Sequence, residues 1–204
     1  MIAIATLFWQ ANRYSQSFSS MYTPEWVEKL YRGFARNLTE PFRFVCFTDR
    51  EYEFCEPIEQ MRITSQMPSY ADCVEPFRLD VPMILCGLDT VIVGNVDHLA
   101  RYCLEADAIA LPRDPFHKSR ACNGVVLAPG GNAHVYTEWS GENDMEWMRK
   151  QEHVFIDDAF PGAVVSYKGE VMSAGLRDAR IVYFHGRSKP HELAHLDWIR
   201  ERWA

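Results

Sequence analysis

Residues 82–99 read PMILCGLDTVIVGNVDHL. A short apolar run (Met83, Ile84, Leu85) leads to a lone carboxylate, Asp89, and a β-branched run (Val91, Ile92, Val93) follows before Gly94-Asn95. Apolar runs this short, punctuated by Pro and Gly, suit a strand buried on both faces in the middle of an α/β sheet. A carboxylate in such a run is costly to bury unless it is paired or stands at the strand's open end. Open α/β sheets take ligands in the crevice beyond the carboxyl ends of their strands, so Asp89 is expected at the floor of a site.

Outward from this stretch, residues 2–9 form a β-rich apolar run that ends in a polar loop. Thr23-Pro24-Glu25 opens a helix with a hydroxyl N-cap, proline at the first position and acid in the first turn. Trp26, Val27, Leu30, Phe34 and Leu38 follow at near-helical spacing. Pro41 stops that helix, and residues 42–48 (FRFVCFT) read as a second strand ending in Asp49. Strand, helix, strand with a crossover of this length is the βαβ unit of a parallel sheet. A short strand is expected within 55–63, an irregular surface segment over 64–76, and a short helix over 97–104. Residues 108–111 and 123–127 read as strands separated by a basic, His-containing loop. Residues 134–150 read as helix broken at Gly141, and 154–167 as a short helix and strand around Pro161-Gly162. The last strand is 180–184 (RIVYF), and a closing helix is expected over 191–203. No repeat, low-complexity tract or linker intervenes, so one α/β domain over residues 1–204 is expected.

Composition narrows the function classes. A hydrophobic content of 48% with 13% aromatics excludes a disordered chain. A net charge of −7 offers no general attraction to phosphate backbones and weighs against nucleic acid as a partner. No apolar run approaches the roughly 20 residues that span a bilayer, and the first residues lack the basic region and cleavage site of a signal peptide. The six cysteines are widely spaced without a CxxC pair, and several lie in apolar runs. Free thiols in a reducing cytosol fit this better than a disulfide scaffold or a cysteine zinc site, so a cytoplasmic location is expected.

Two stretches bring chemistry towards one sheet edge: Asp89, and the loop His185-Gly186-Arg187-Ser188-Lys189-Pro190. A carboxylate, an imidazole and a lysine together suit a divalent metal bridging a diphosphate. Metal and lysine would then neutralise charge on a departing nucleoside diphosphate. The plainer alternative is that Asp89 caps a turn and His185 is a hydrogen-bonded core histidine. An overlapping motif, His191-Glu192-Leu193-Ala194-His195, fits HExxH, which on a helix binds zinc through both histidines with the glutamate as base. No histidine follows within the nine remaining residues to supply a third ligand, and Pro190 reads simply as a helix start. Arg113, His117, Lys118 and Arg120 form either an anion-binding loop or a solvated one. Trp139, Trp147, Trp198 and Trp203 either stack on sugars or pack helix faces. There is no GxGxxG after the first strand, no GxxxxGK[ST] and no GxSxG.

LDTVIVGNVDHL resembles the strand and loop carrying the Asp-x-Asp motif of nucleotide-sugar-dependent glycosyltransferases of the GT-A fold. It is most similar to bacterial and phage relatives of the glycogenin-like (family 8-like) retaining group. YFHGRSKPHEL resembles the C-terminal His-Gly-x-x-Lys-Pro segment of that group, FRFVCFTD its second strand, and ACNGVVL the strand lining its sugar and acceptor side. The resemblance implies a GT-A-like (Rossmann-like) domain with a mixed, mostly parallel sheet flanked by helices. It implies hexosyl transfer, with retention, from a nucleotide-diphosphate sugar donor to an unknown glycan or other acceptor. In that reading Asp89 and His185 hold Mn²⁺ or Mg²⁺, Gly186 lets backbone approach the phosphates, and Lys189 contacts the diphosphate. Trp9 and Asp49 fall on the nucleotide side. Asn123, Asp144, Asp157 and Asp158 are candidates for the transferred sugar or the acceptor, with Asp144 also counted as catalytic beside Asp89 and Lys189. The first Asp of the motif is replaced by Gly87, so metal binding is expected to be weaker, rescued by another group, or absent. A nucleotide-sugar-binding protein without transferase activity stays open as the alternative.

Overall fold

A computed structural model describes residues 1–15 and 17–204. Strand β1 (Ile2–Phe8) is buried along its whole length. Its side chains alternate between two cores, Ile2, Ile4 and Phe8 on one face and Ala3, Ala5 and Leu7 on the other, as the two-residue period of a strand requires. Helix α1 (Pro24–Asn37) crosses from β1 to β2 (Phe42–Thr48), which pairs with β1 in parallel from Ile2 opposite Phe42 to Phe8 opposite Thr48. The expected βαβ unit is therefore present. Thr23 is extended at the N-cap, but its side chain makes no capping bond, and Pro24 and Glu25 open the helix alone.

The chain continues through β3 (Glu59–Arg62), β4 (Met83–Cys86), β5 (Thr90–Ile92), α2 (Asp97–Glu105), β6 (Ile109–Leu111) and β7 (Val125–Ala128). Then come α3 (His134–Thr137), α4 (Asp144–Lys150), β8 (His153–Phe155), α5 (Ile156–Ala159), β9 (Val164–Ser166), α6 (Met172–Ala174), β10 (Ile181–Tyr183) and α7 (Asp197–Arg202). The large sheet has the order β3-β2-β1-β4-β7-β6-β8. Its neighbours pair in parallel except at β7, which runs antiparallel to both β4 and β6. This is the mixed, mostly parallel sheet flanked by helices that the sequence implies.

Residues 82–99 hold two short strands rather than one. β4 ends at Cys86, the chain turns over residues 87–89, and β5 enters a second sheet of order β5-β10-β9. β10 lies antiparallel to β5 with Tyr183 opposite Thr90, so whatever follows Tyr183 arrives beside whatever precedes Thr90. That pairing carries the loop after β10 to Asp89.

Two other expectations are corrected. The segment 64–76 is irregular only over 64–69, because a 3-10 helix, Tyr70–Leu79, takes over from there, buries Val74, Glu75 and Phe77 and starts with a capping box between Ser69 and Asp72. The closing helix over 191–203 is split into a 3-10 turn, Pro190–Leu193, and α7, with Leu196 extended between them. His191 and His195 thus do not share one continuous helix as an HExxH zinc site requires, and the His191 ring packs edge-on against Trp26 at 5.3 Å. The tryptophans pack: Trp203 meets Trp26, Trp198 stacks on Phe184, Trp139 donates to the Glu142 carbonyl, and Trp147 to that of Val135. The break expected at Gly141 within 134–150 is present: α3 and α4 flank Gly141, which adopts a positive φ. Among the described residues no helix is long and apolar enough to cross a membrane.

Candidate active site

A cavity of about 280 Å³ opens beyond the carboxyl ends of β1 and β4. Phe8 and Trp9 line it from β1, Gly87 and Asp89 from the turn after β4, and Asn123 and Gly124 from the approach to β7. Asp144 and Met148 of α4 and Tyr70 and Cys73 of the 3-10 helix form a further wall, and Gly186 and Lys189 come from the loop after β10. Six residues singled out by sequence are thereby brought together: Trp9, Asp89, Asn123, Asp144, Gly186 and Lys189.

At the floor, the Lys189 ammonium forms an ion pair with Asp89, the two side chains being only 7% and 13% exposed. The Tyr22 hydroxyl donates to the same Asp89 oxygen at 3.2 Å. Burial first, and then the Asp89 charge, pushes the Tyr22 phenol far up, so it stays a protonated donor. Gly186 and Ser188 both adopt left-handed backbone, at φ 60 and 65, which turns the loop back so that Lys189 reaches Asp89. The Lys189 backbone N–H is held by Glu192 at 2.9 Å. Across the cleft, the Asn123 amide donates to Asp144 at 2.5 Å. Burial raises the Asp144 carboxyl above its ordinary range, with the Asn123 hydrogen bond opposing the shift.

His185 does not line the cavity. Its Nε2 shares a hydrogen bond with the Ser166 hydroxyl at 2.9 Å, and its ring meets Phe116 edge-on at 5.4 Å. Burial, then Lys168 and Lys189, hold its imidazole below the ordinary value. Lys168 lies in the π-helical turn Tyr167–Val171 that follows β9, and its Nζ would sit 3.3 Å from a Cβ placed on Gly186.

Other sequence candidates lie elsewhere. Asp49 stands at the end of β2, but it accepts from Tyr52 at 2.7 Å and from Arg50 at 2.9 Å and does not line the cavity. Asp157 accepts from the Arg113 backbone N–H at 2.8 Å, and Asp158, 65% exposed, forms an ion pair with the Arg113 guanidinium at 2.7 Å. Neither carboxylate lines the cavity, and both anchor the start of the basic loop. Acids from outside that loop neutralise it, Lys118 by Glu170 and Arg120 by Glu146.

The chain offers a divalent cation a sparse donor set here: one carboxylate, already paired with an ammonium, and an imidazole whose Nε2 is bound to a hydroxyl, so substrate phosphates and water would have to supply most of the ligands. Among the described residues no three His, Cys, Asp or Glu side chains are grouped so as to hold a metal ion. Tyr22, Tyr70, Cys73 and Lys168 were not singled out by sequence. None belongs to a motif; Tyr22, Tyr70 and Cys73 line the cavity, and Lys168 stands beside Gly186 at its edge.

An open, mostly parallel seven-stranded sheet with a small second sheet is a GT-A-like fold. Among solved structures the chain is similar to the glycosyltransferase GlyE of Streptococcus pneumoniae TIGR4, at 13% identity and a TM-score of 0.60 over 98% of this chain and 62% of that one. It is similar to the bifunctional glycosyltransferase WbbM at 8% identity and a TM-score of 0.59, over 98% of this chain and 50% of that one. It is similar also to the galactosyltransferase LgtC solved with donor and acceptor sugar analogues, at 8% identity and a TM-score of 0.53, over 92% and 88%. The chain thus spans less than two thirds of GlyE and half of WbbM. No family model matches the sequence, and no curated protein matches it.

Proposed function

We propose that the protein transfers a sugar from a nucleoside diphosphate sugar to a hydroxyl of an unidentified glycan or other acceptor. The observation that carries this reading is the nearly dry Asp89–Lys189 pair at the carboxyl ends of the strands, flanked by the bare backbone of Gly186. A diphosphate approaches most closely where no side chain intervenes, as at Gly186. The Lys189 ammonium, poorly hydrated there, neutralises charge as it builds on the leaving phosphate. Asp89 orients Lys189, and Tyr22 in turn fixes Asp89. Trp9 and Phe8 offer the nucleobase an aromatic wall, and the Asn123–Asp144 pair offers the sugar hydroxyls a donor and an acceptor. Retention, hexosyl specificity and a cytoplasmic setting belong to the same proposal, supported by the fold and by six free cysteines.

The test is release of nucleoside diphosphate from a panel of nucleotide sugars, with the product anomer read by proton NMR. Turnover is expected for at least one donor, and Lys189→Met is expected to lower it about 10²–10³-fold, the loss typical of a transition-state charge stabiliser. Turnover indifferent to that change sinks the mechanism. Donor binding without any release makes the protein a nucleotide-sugar-binding module instead, the reading that Gly87 favours.

A further inference from the structure

The Lys168 ammonium has no hydrogen-bond or ion-pair partner among the described residues, although the side chain is half-buried. Its Nζ lies 3.3 Å from where a Cβ on Gly186 would stand, over left-handed backbone that lines the cavity together with Lys189. Together with the missing carboxylate at Gly87 and the ammonium already seated on Asp89, this leaves cationic charge at the site and few oxygens for a metal. We propose, building on the transferase reading, that Lys168 and Lys189 together bind the donor diphosphate and neutralise it, with no divalent cation required.

In the transfer, the bond from the anomeric carbon to the β-phosphate oxygen breaks and its electron pair stays on that oxygen. The acceptor's hydroxyl oxygen bonds to the anomeric carbon, and its proton is taken up by the departing phosphate. Both lysines keep their protons throughout, and their contribution is electrostatic. A half-buried ammonium with no protein anion of its own is suited to this, because an incoming phosphate replaces water without displacing a partner.

The closing experiment titrates UDP, GDP, ADP, CDP and dTDP calorimetrically into EDTA-treated protein, then repeats the titrations with Mn²⁺ or Mg²⁺ added. One diphosphate is expected to bind in EDTA, with affinity changed less than about twofold by either metal. Lys168→Met is expected to weaken it about tenfold, and Lys168→Arg to stay near wild type, as a charge-assisted contact requires. The far-UV circular dichroism of both variants should match the parent. Binding that appears only with metal, or that ignores Lys168→Met, overturns this inference and leaves the transferase reading standing. Failure of all five diphosphates, with and without metal, overturns the transferase reading as well.

Discussion

A Cβ on residue 87 would lie 2.9 Å from Asp89 Oδ1, so Gly87 alone keeps the floor of the cleft to a single carboxylate. In Gly87→Asp two carboxylates would crowd one lysine, and a divalent cation would relieve their repulsion. That variant is expected to take up Mn²⁺ measurably by calorimetry where the parent does not; no uptake would show that the two side chains do not converge. Lys189→Met leaves Asp89 nearly buried with only Tyr22 to satisfy it. The cost expected from urea denaturation is about 3 kcal/mol, the lower end for removing one partner of a buried pair, since the Tyr22 hydrogen bond survives. Asp89, Gly186 and Lys189 were legible in the sequence because each stands in a motif at the end of an apolar run. Lys168 and Tyr22 were not, because nothing in YKGEV or in Met21-Tyr22-Thr23 signals which sheet edge they will face.

The element that sequence reading missed most completely is the 3-10 helix Tyr70–Leu79. Its Pro76, Ser69 and Asp72 read as turn residues, whereas Ser69 and Asp72 form the cap and Pro76 lies inside the helix that walls the cleft. Glu75, fully buried, holds that wall: it accepts from the Thr64 backbone N–H at 2.8 Å, from the Thr64 hydroxyl, and from Arg78 at 2.7 Å. Glu75→Ala is expected to cost about 3–5 kcal/mol in urea denaturation, because Arg78 loses its buried counter-ion. It should also weaken nucleotide binding, since Tyr70 and Cys73 lose their support. A variant as stable as the parent would show the cluster to be dispensable. The division of 82–99 into β4 and β5 was equally hidden, since strands of four and three residues are too short for periodicity to separate them. The βαβ unit was legible because α1 runs 14 residues between two seven-residue strands.

Across the whole molecule, pH acts near neutrality through half-buried histidines. His98 and His185 are both held below their ordinary value of 6.5, chiefly by burial, so the unfolded chain binds more protons than the folded one just below that pH. Stability is therefore expected to fall as pH drops through 6.5 towards the lowered folded values. The buried carboxyls Asp72 and Asp144, raised above 3.8, act in the opposite sense at lower pH: their contribution is lost as pH rises through their folded values. The urea midpoint should be lower at pH 5.5 than at pH 7.5, and His98→Asn with His185→Asn should flatten that slope. An unchanged slope would place the titration elsewhere. The parallel layering was legible from alternating apolar runs and helices, but the reversal of β7 was not, because a buried strand carries no mark of its direction.

The pairing of β10 with β5 joins segments about ninety residues apart and brings the loop that carries Lys189 to Asp89. Contacts this distant along the chain carry a loop-closure cost that must be met before they repay it, and they slow folding. During refolding, nucleotide-binding competence should therefore lag behind most of the secondary structure and appear with the slowest phase. A newly synthesised chain would likewise gain the Asp89–Lys189 pair only after β10 is available.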